Sequence, residues 1–106
     1  MLVRKIWEDY ETERPEEKLL VNEDEAETIA LGYVSKKSGE STVVGFHDDE
    51  EEIYVVLKGT AKLELGDEVT EVGPGSVVYV PRNTRHVMTC TSKEQLEYLY
   101  FANWPK

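Results

Sequence analysis

The sequence predicts an all-β fold, a small antiparallel β-sandwich or β-barrel, and three observations lead there. Short apolar or alternating runs recur along most of the chain, turn-forming residues separate them, and no segment carries a helical apolar stripe. The longest helix candidate, residues 22–31, lacks the required three-and-four spacing of apolar positions.

Taken in order, Leu2, Ile6 and Trp7 mark a short first strand, or an arm that packs on a neighbour. Residues 11–17 are charged and broken by Pro15, which reads as loop. Leu19 to Val21 is a brief apolar stretch, and residues 22–27 form an acidic connection. Thr28 to Ser35 reads as a strand interrupted by Gly32, and residues 36–40 form a turn around Gly39. Thr42 to His47 is β-branched and apolar, which favours a strand, and Glu52 to Lys58 is strongly strand-like until Gly59 ends it. Ala61, Leu63 and Leu65 alternate with Lys62 and Glu64, Gly66-Asp67 supplies a hairpin turn, and Glu68 to Val72 returns. Gly73-Pro74-Gly75 turns the chain into the apolar run Val77 to Val80, which Pro81 stops. Strands over residues 85–91 and 97–101 complete the series, followed by an aromatic tail reaching Trp104.

A length of 106 residues fits one domain. Residues 1–38 are expected to contribute N-terminal strands and acidic loops to that domain, and residues 39–106 its barrel core. The 40% hydrophobic content supports a compact core, and 32% charged residues a solvated exterior. Twenty-two acidic against twelve basic residues leave a formal net charge of −10. Such a field repels phosphate backbones and anionic lipid heads, so neither nucleic acid nor membrane surface is an expected partner. No segment approaches the ~20 apolar residues of a membrane span, and no apolar run near the N-terminus resembles a signal peptide. Cys90, the single cysteine, cannot form an internal disulfide. Together these features point to a cytoplasmic protein.

The chain has two histidines, His47 and His86. A strand alternates faces with period two, so His86, Met88 and Cys90 share one side, as do Glu52, Tyr54 and Val56 on another strand. If both faces look inward, two imidazoles and a carboxylate converge. That set suffices to hold a divalent first-row metal with positions open for substrate; the alternative is that each histidine is a surface or satisfied core residue. Cys90 packs as a small hydrophobe or presents a thiol to the pocket, and Met88 fills the core or lines the pocket. Tyr54 and Tyr79 are further pocket-lining candidates. Arg82 and Arg85 either greet an anionic substrate or pair with the many carboxylates.

Read together, these segments resemble the cupin superfamily. Its first motif is a Gly, five residues, His-x-His, three or four residues, Glu, six residues and Gly. Here Gly39, Gly45-Phe46-His47, Glu52 and Gly59 follow that spacing, with Gly45 in place of the first histidine. Its second motif is a Gly, five residues, Pro-x-Gly, two residues, His, three residues and Asn. Gly75, Pro81-Arg82-Asn83, His86 and Cys90 follow it, with Asn83 in place of the motif glycine and Cys90 in place of the asparagine. Asn tolerates the left-handed conformation better than most residues.

The resemblance implies a small double-stranded β-helix, jelly-roll-like, as a single-domain cupin. It implies a divalent transition metal (Fe, Mn, Zn or Ni) on His47, Glu52 and His86, with Gly45 leaving the fourth ligand position without a side chain. Two functions follow: a metal-dependent enzyme on a small organic substrate, or a non-catalytic metabolite-binding barrel that has lost its metal. A small-molecule ligand is the expected partner in both. The resemblance also implies a homodimer formed through sheet edges, the N-terminal arm and the aromatic tail; an oligomeric scaffold is the third, weaker reading.

Overall fold

A computed structural model describes residues 1–8 and 17–104. Most of the loop expected over residues 11–17 therefore lies outside the described residues. Among the described residues eight strands follow in chain order: β1 (Glu17–Val21), β2 (Ile29–Lys36), β3 (Glu51–Lys58), β4 (Ala61–Leu65), β5 (Glu68–Val72), β6 (Val77–Val80), β7 (His86–Cys90) and β8 (Leu96–Asn103). A single 3₁₀ turn, Glu23–Glu25, stands between β1 and β2, capped by the Asn22 side chain.

The strands form two antiparallel sheets, one of five strands in the order β1-β2-β8-β3-β6 and one of three in the order β5-β4-β7. Consecutive pairing in β4-β5 needs only the two-residue turn Gly66-Asp67, where Gly66 takes φ 59°. Every other neighbour of β3 and β8 is distant in sequence, as in Greek-key sandwiches. The core lies between the sheets. Val56, Val78, Val80 and Tyr98 face it from the large sheet, and Ala61, Leu63, Met88 and Cys90 from the small one.

Among the described residues, the strand expected over residues 42–47 and the strand alternative for residues 2–7 are absent. Residues 2–7 form no strand. Instead Arg4 donates to the Leu20 carbonyl at 2.8 Å, and the Trp7 indole donates to the Glu97 carboxylate at 2.7 Å. The arm is thus pinned by side chains onto the five-stranded sheet. Residues 42–47 also lack a continuous ladder. They run beside β7 through isolated bridges at Ser41–Thr89 and Gly45–His86. Val43, Val44 and Phe46 all remain exposed, so the β-branched character of this run buys no buried face.

Candidate functional site

The inner ends of β3, β7 and β8 bring the candidate residues together. On β3 the alternation places Glu52, Tyr54 and Val56 inward. Across the ladder Glu52 faces Ala102 and Tyr54 faces Tyr100, so a small residue leaves room beside the carboxylate and an aromatic wall stands above it. His86 opens β7 on the opposing sheet, with its Nδ1 3.0 Å from the Thr84 carbonyl, which fixes the ring and presents Nε2 to the interior. His47 comes from the irregular segment before β3. Its carbonyl accepts from the Asn83 amide at 2.6 Å, and Asn83 itself takes φ 59°, the left-handed turn expected of the residue at that motif position.

The resulting geometry is close. His47 Nε2 lies 3.4 Å and His86 Nε2 3.6 Å from Glu52 Oε1, and the two imidazole centroids are 5.2 Å apart. Ligand atoms of the three residues fall within 4.8 Å of one another. A first-row ion with bonds of about 2.1 Å holds neighbouring donors roughly 3.0–3.5 Å apart, so the set matches such an ion with little movement. Glu52 is only 8% exposed, and its Oε1 has no hydrogen-bond partner. A buried carboxylate oxygen without a donor is costly, and a cation between the two imidazoles is the partner that its surroundings can supply.

The electrostatics agree with that environment. Burial, followed by repulsion from Glu50 and Glu17, pushes the Glu52 carboxyl up to about 7. Burial lowers the His86 imidazole, outweighing its backbone hydrogen bond, with His47 lowering it further. The neutral form of His86, the form that donates a ring nitrogen to a metal, is thereby favoured. Tyr54, Tyr98 and Tyr100 are all pushed up by burial first and by nearby carboxylates second, which keeps their hydroxyls protonated.

Gly45 explains the missing histidine of the first motif. Its amide and carbonyl bridge those of His86, both at 2.9 Å. A Cβ placed at residue 45 would lie 2.3 Å from His86 Nε2, far inside contact distance. The His86 ring therefore occupies the space into which a side chain at 45 would grow.

Glu50, one of a run of acidic residues that local sequence does not tell apart, has its carboxylate 3.3 Å from His47 Nδ1 and largely buried. Glu50 thus faces one nitrogen of His47 while Glu52 faces the other. Tyr98, Tyr100, Glu17 and Trp104 also line the cleft and were not singled out. Tyr54 lines it as expected. Tyr79 does not: it is 55% exposed on the outer face, where its hydroxyl donates to Glu51 at 3.1 Å. Its neighbours Val78 and Val80 take the inner positions of β6, and period two sends Tyr79 outward. Met88 and Cys90 share the inward side of His86, but each is only 1% exposed and belongs to the core cluster, not the cleft lining. The Cys90 sulfur contacts the Ser92 and Glu94 carbonyls at 3.6 Å. Arg82 is held by Glu51 at 2.9 Å, and neither it nor Arg85 lines the cleft. Of the two aspartates beside His47, both are exposed, and Asp49 shares a second, more open acidic group with His47 and Glu50.

A double-layered antiparallel barrel with an inward cluster of two histidines and a glutamate defines a small β-barrel domain with a candidate metal centre. The cupin domain model matches residues 32–101, and the chain belongs to that family. The crystal structure of TT1209 from Thermus thermophilus superposes with a TM-score of 0.82 at 17% identity, covering 98% of each chain, which establishes likeness of fold. The polyketide cyclase RemF from Streptomyces resistomycificus superposes with a TM-score of 0.71 at 29% identity, covering 82% of this chain and 63% of that one. Among curated relatives, mannose-1-phosphate guanylyltransferase ManC of Salmonella typhimurium is 28% identical over 76 residues, 72% of this chain but 16% of that protein. The chain spans between 16% and 38% of the curated relatives it matches. No helix among the described residues is long and apolar enough to cross a membrane.

Proposed function

We propose that the chain binds a small organic molecule in its cleft, beside a divalent first-row transition ion held by His47, Glu52 and His86. The observation that carries this reading is the orphaned, buried Oε1 of Glu52, set between two imidazole nitrogens at 3.4 and 3.6 Å. Iron, manganese, zinc and nickel all accept this nitrogen–oxygen donor set. Such an ion supplies a Lewis-acidic centre with positions open to an oxygen donor.

The protein's own groups divide the remaining work. Glu52 and the two histidines bind, and Glu50 at Nδ1 orients the His47 ring. Tyr54 and Tyr98 form an aromatic wall with ring centroids 5.1 Å apart. Tyr100 donates its hydroxyl to Glu17, which fixes the ring over Gly32. These rings line the cleft, and the protonated hydroxyls of Tyr54 and Tyr98 are the ones available to orient a ligand. Enzymatic use of the centre is the first form of this reading, and the likeness to a polyketide cyclase supports it. A metabolite-binding barrel without metal is the second, favoured by the close packing of His86 on Gly45, which leaves no room for a fourth ligand at that position.

A cytoplasmic homodimer belongs to the same proposal. Cytoplasmic placement rests on the lone, buried Cys90. The dimer reading rests on the outer face of the five-stranded sheet. There the register aligns Leu31, Phe101, Ile53 and Tyr79 in one apolar row and Tyr33, Leu99, Val55 and Val77 in the next. Ile53, Val77, Tyr79 and Phe101 are all exposed. Light scattering on the purified protein distinguishes a dimer from a monomer.

The test of the metal reading is metal content by mass spectrometry on untagged native protein beside His47→Ala and His86→Ala. Near-stoichiometric metal lost in both variants supports it. Metal far below stoichiometry after incubation with iron, manganese, nickel and zinc leaves the metal-free barrel.

A further inference from the structure

We infer that the cleft selects a positively charged, amine-bearing small molecule and turns anions away; this rests on the reading of the cleft as a ligand site. The cleft has a volume of about 1500 Å³. Its described lining holds six carboxylates, Glu17, Glu23, Asp24, Glu25, Glu50 and Glu52, against two cationic side chains, Arg4 and Lys36. Arg4 cannot serve an incoming anion freely. Both of its terminal nitrogens bind Glu25 at 2.9 Å, and one also donates to the Leu20 carbonyl. Arg82, the arginine nearest the second motif's turn, is spent on Glu51 at the outer face.

The lining therefore holds four more acidic than basic groups, and an excess of negative charge remains whether Glu52 is protonated or a divalent ion sits at the inner end. Walls of low dielectric focus that field along the cleft, so it acts on a ligand before contact and after it. The orphaned buried oxygen of Glu52 marks the inner end as a place that takes a partner from outside the chain. At the mouth, Glu23 and Asp24 stand exposed on the 3₁₀ turn, where they meet a ligand first. Aromatic faces complete the match: Tyr54, Tyr98, Tyr100 and Trp104 line the same cleft, and such rings favour a cation over an anion. A bound amine finds carboxylate acceptors and ring faces, whereas a carboxylate or phosphate of the same size finds like charge.

The experiment compares three ligands sharing one chelating diol: dopamine, catechol and dihydrocaffeate, which are cationic, neutral and anionic at neutral pH. Calorimetric titration is done on metal-free and metal-loaded full-length protein, with metal content measured by mass spectrometry. Dopamine is expected to bind on the order of tenfold tighter than dihydrocaffeate at low salt, with catechol between them. The ratio should shrink in roughly 1 M salt, where charges are screened beyond about 3 Å. A variant carrying Glu23→Gln and Asp24→Asn, both exposed, should narrow it as well. Dihydrocaffeate binding as tightly as dopamine overturns the inference, and so does a failure of dopamine to bind at millimolar concentration. Failure of the metal reading registers separately, as absence of metal while the charge order persists in the metal-free protein.

Discussion

Glu52 on β3 and Glu97 on β8 stand on adjacent strands of one sheet, each 8% exposed, and point to opposite faces. Their surroundings differ completely. Glu97 accepts from the Trp7 indole at 2.7 Å and from the Tyr33 hydroxyl, and Lys58 lies 3.5 Å away. Lys58 in turn sits 5.0 Å from the centroid of the Trp7 ring. Burial alone raises the Glu97 carboxyl, but these donors outweigh it and hold the group below its usual range. The buried Oε1 of Glu52 accepts no hydrogen bond, and burial raises the carboxyl to about 7. A buried acid surrounded by donors fastens the fold, here the N-terminal arm to the sheet. A buried acid left without donors is held ready for a partner that the chain does not contain.

The comparison can be broken first at Glu97. Glu97→Ala leaves Tyr33, Trp7 and Lys58 without their common acceptor and is expected to cost about 3 kcal/mol in urea unfolding. The depressed carboxyl contributes stability above the unfolded value of 4.5, lost as pH falls through the lower folded value. Glu97→Gln should flatten that acid limb.

At Glu52 the sign reverses. Its folded value near 7 lies above the unfolded 4.5, so the folded protein binds more protons between those limits. Its contribution to metal-free stability is present below about pH 4.5 and is lost as pH rises through about 7. Glu52→Gln is therefore expected to stabilise metal-free protein at pH 8 by on the order of 2 kcal/mol, read from the shift of the urea midpoint at constant slope.

A smaller effect is expected at Gly45. Restoring the motif with Gly45→His should weaken metal binding by roughly tenfold, because the new side chain displaces the His86 ring. Gly45→Ala, a lesser intrusion, should act in the same direction, and tighter binding in Gly45→His would show that the site was awaiting its fourth ligand. The smallest change is Trp7→Phe, which removes one of the donors to Glu97 and should cost about 1 kcal/mol in the same unfolding assay.

The Glu52 half of this contrast is legible in the sequence. Period-two alternation puts Glu52 and Tyr54 on one face of their strand, and motif spacing groups Glu52 with His47 and His86, whose ligand atoms lie within 4.8 Å of one another. What local pattern could not supply was the phase of a uniformly apolar strand and the register between distant strands. Val77 to Val80 gives no hint of which face is inward, so Tyr79 was assigned to the wrong side. Tyr98 and Tyr100 reach the cleft only because β8 pairs with β3 over more than forty residues of sequence. Glu50 lies in an acidic run whose members look equivalent, and only the bend before β3 turns it toward His47. Glu97 carries no sequence signal, since its three partners come from the N-terminal arm, β2 and β3.

The most direct test measures metal stoichiometry in Glu52→Gln and Glu97→Gln side by side, each confirmed folded by circular dichroism. The account predicts about one ion per chain in native protein and in Glu97→Gln, and none retained in Glu52→Gln. Equal metal in both variants would contradict it, since the unsatisfied carboxylate would then not be the group that holds the ion.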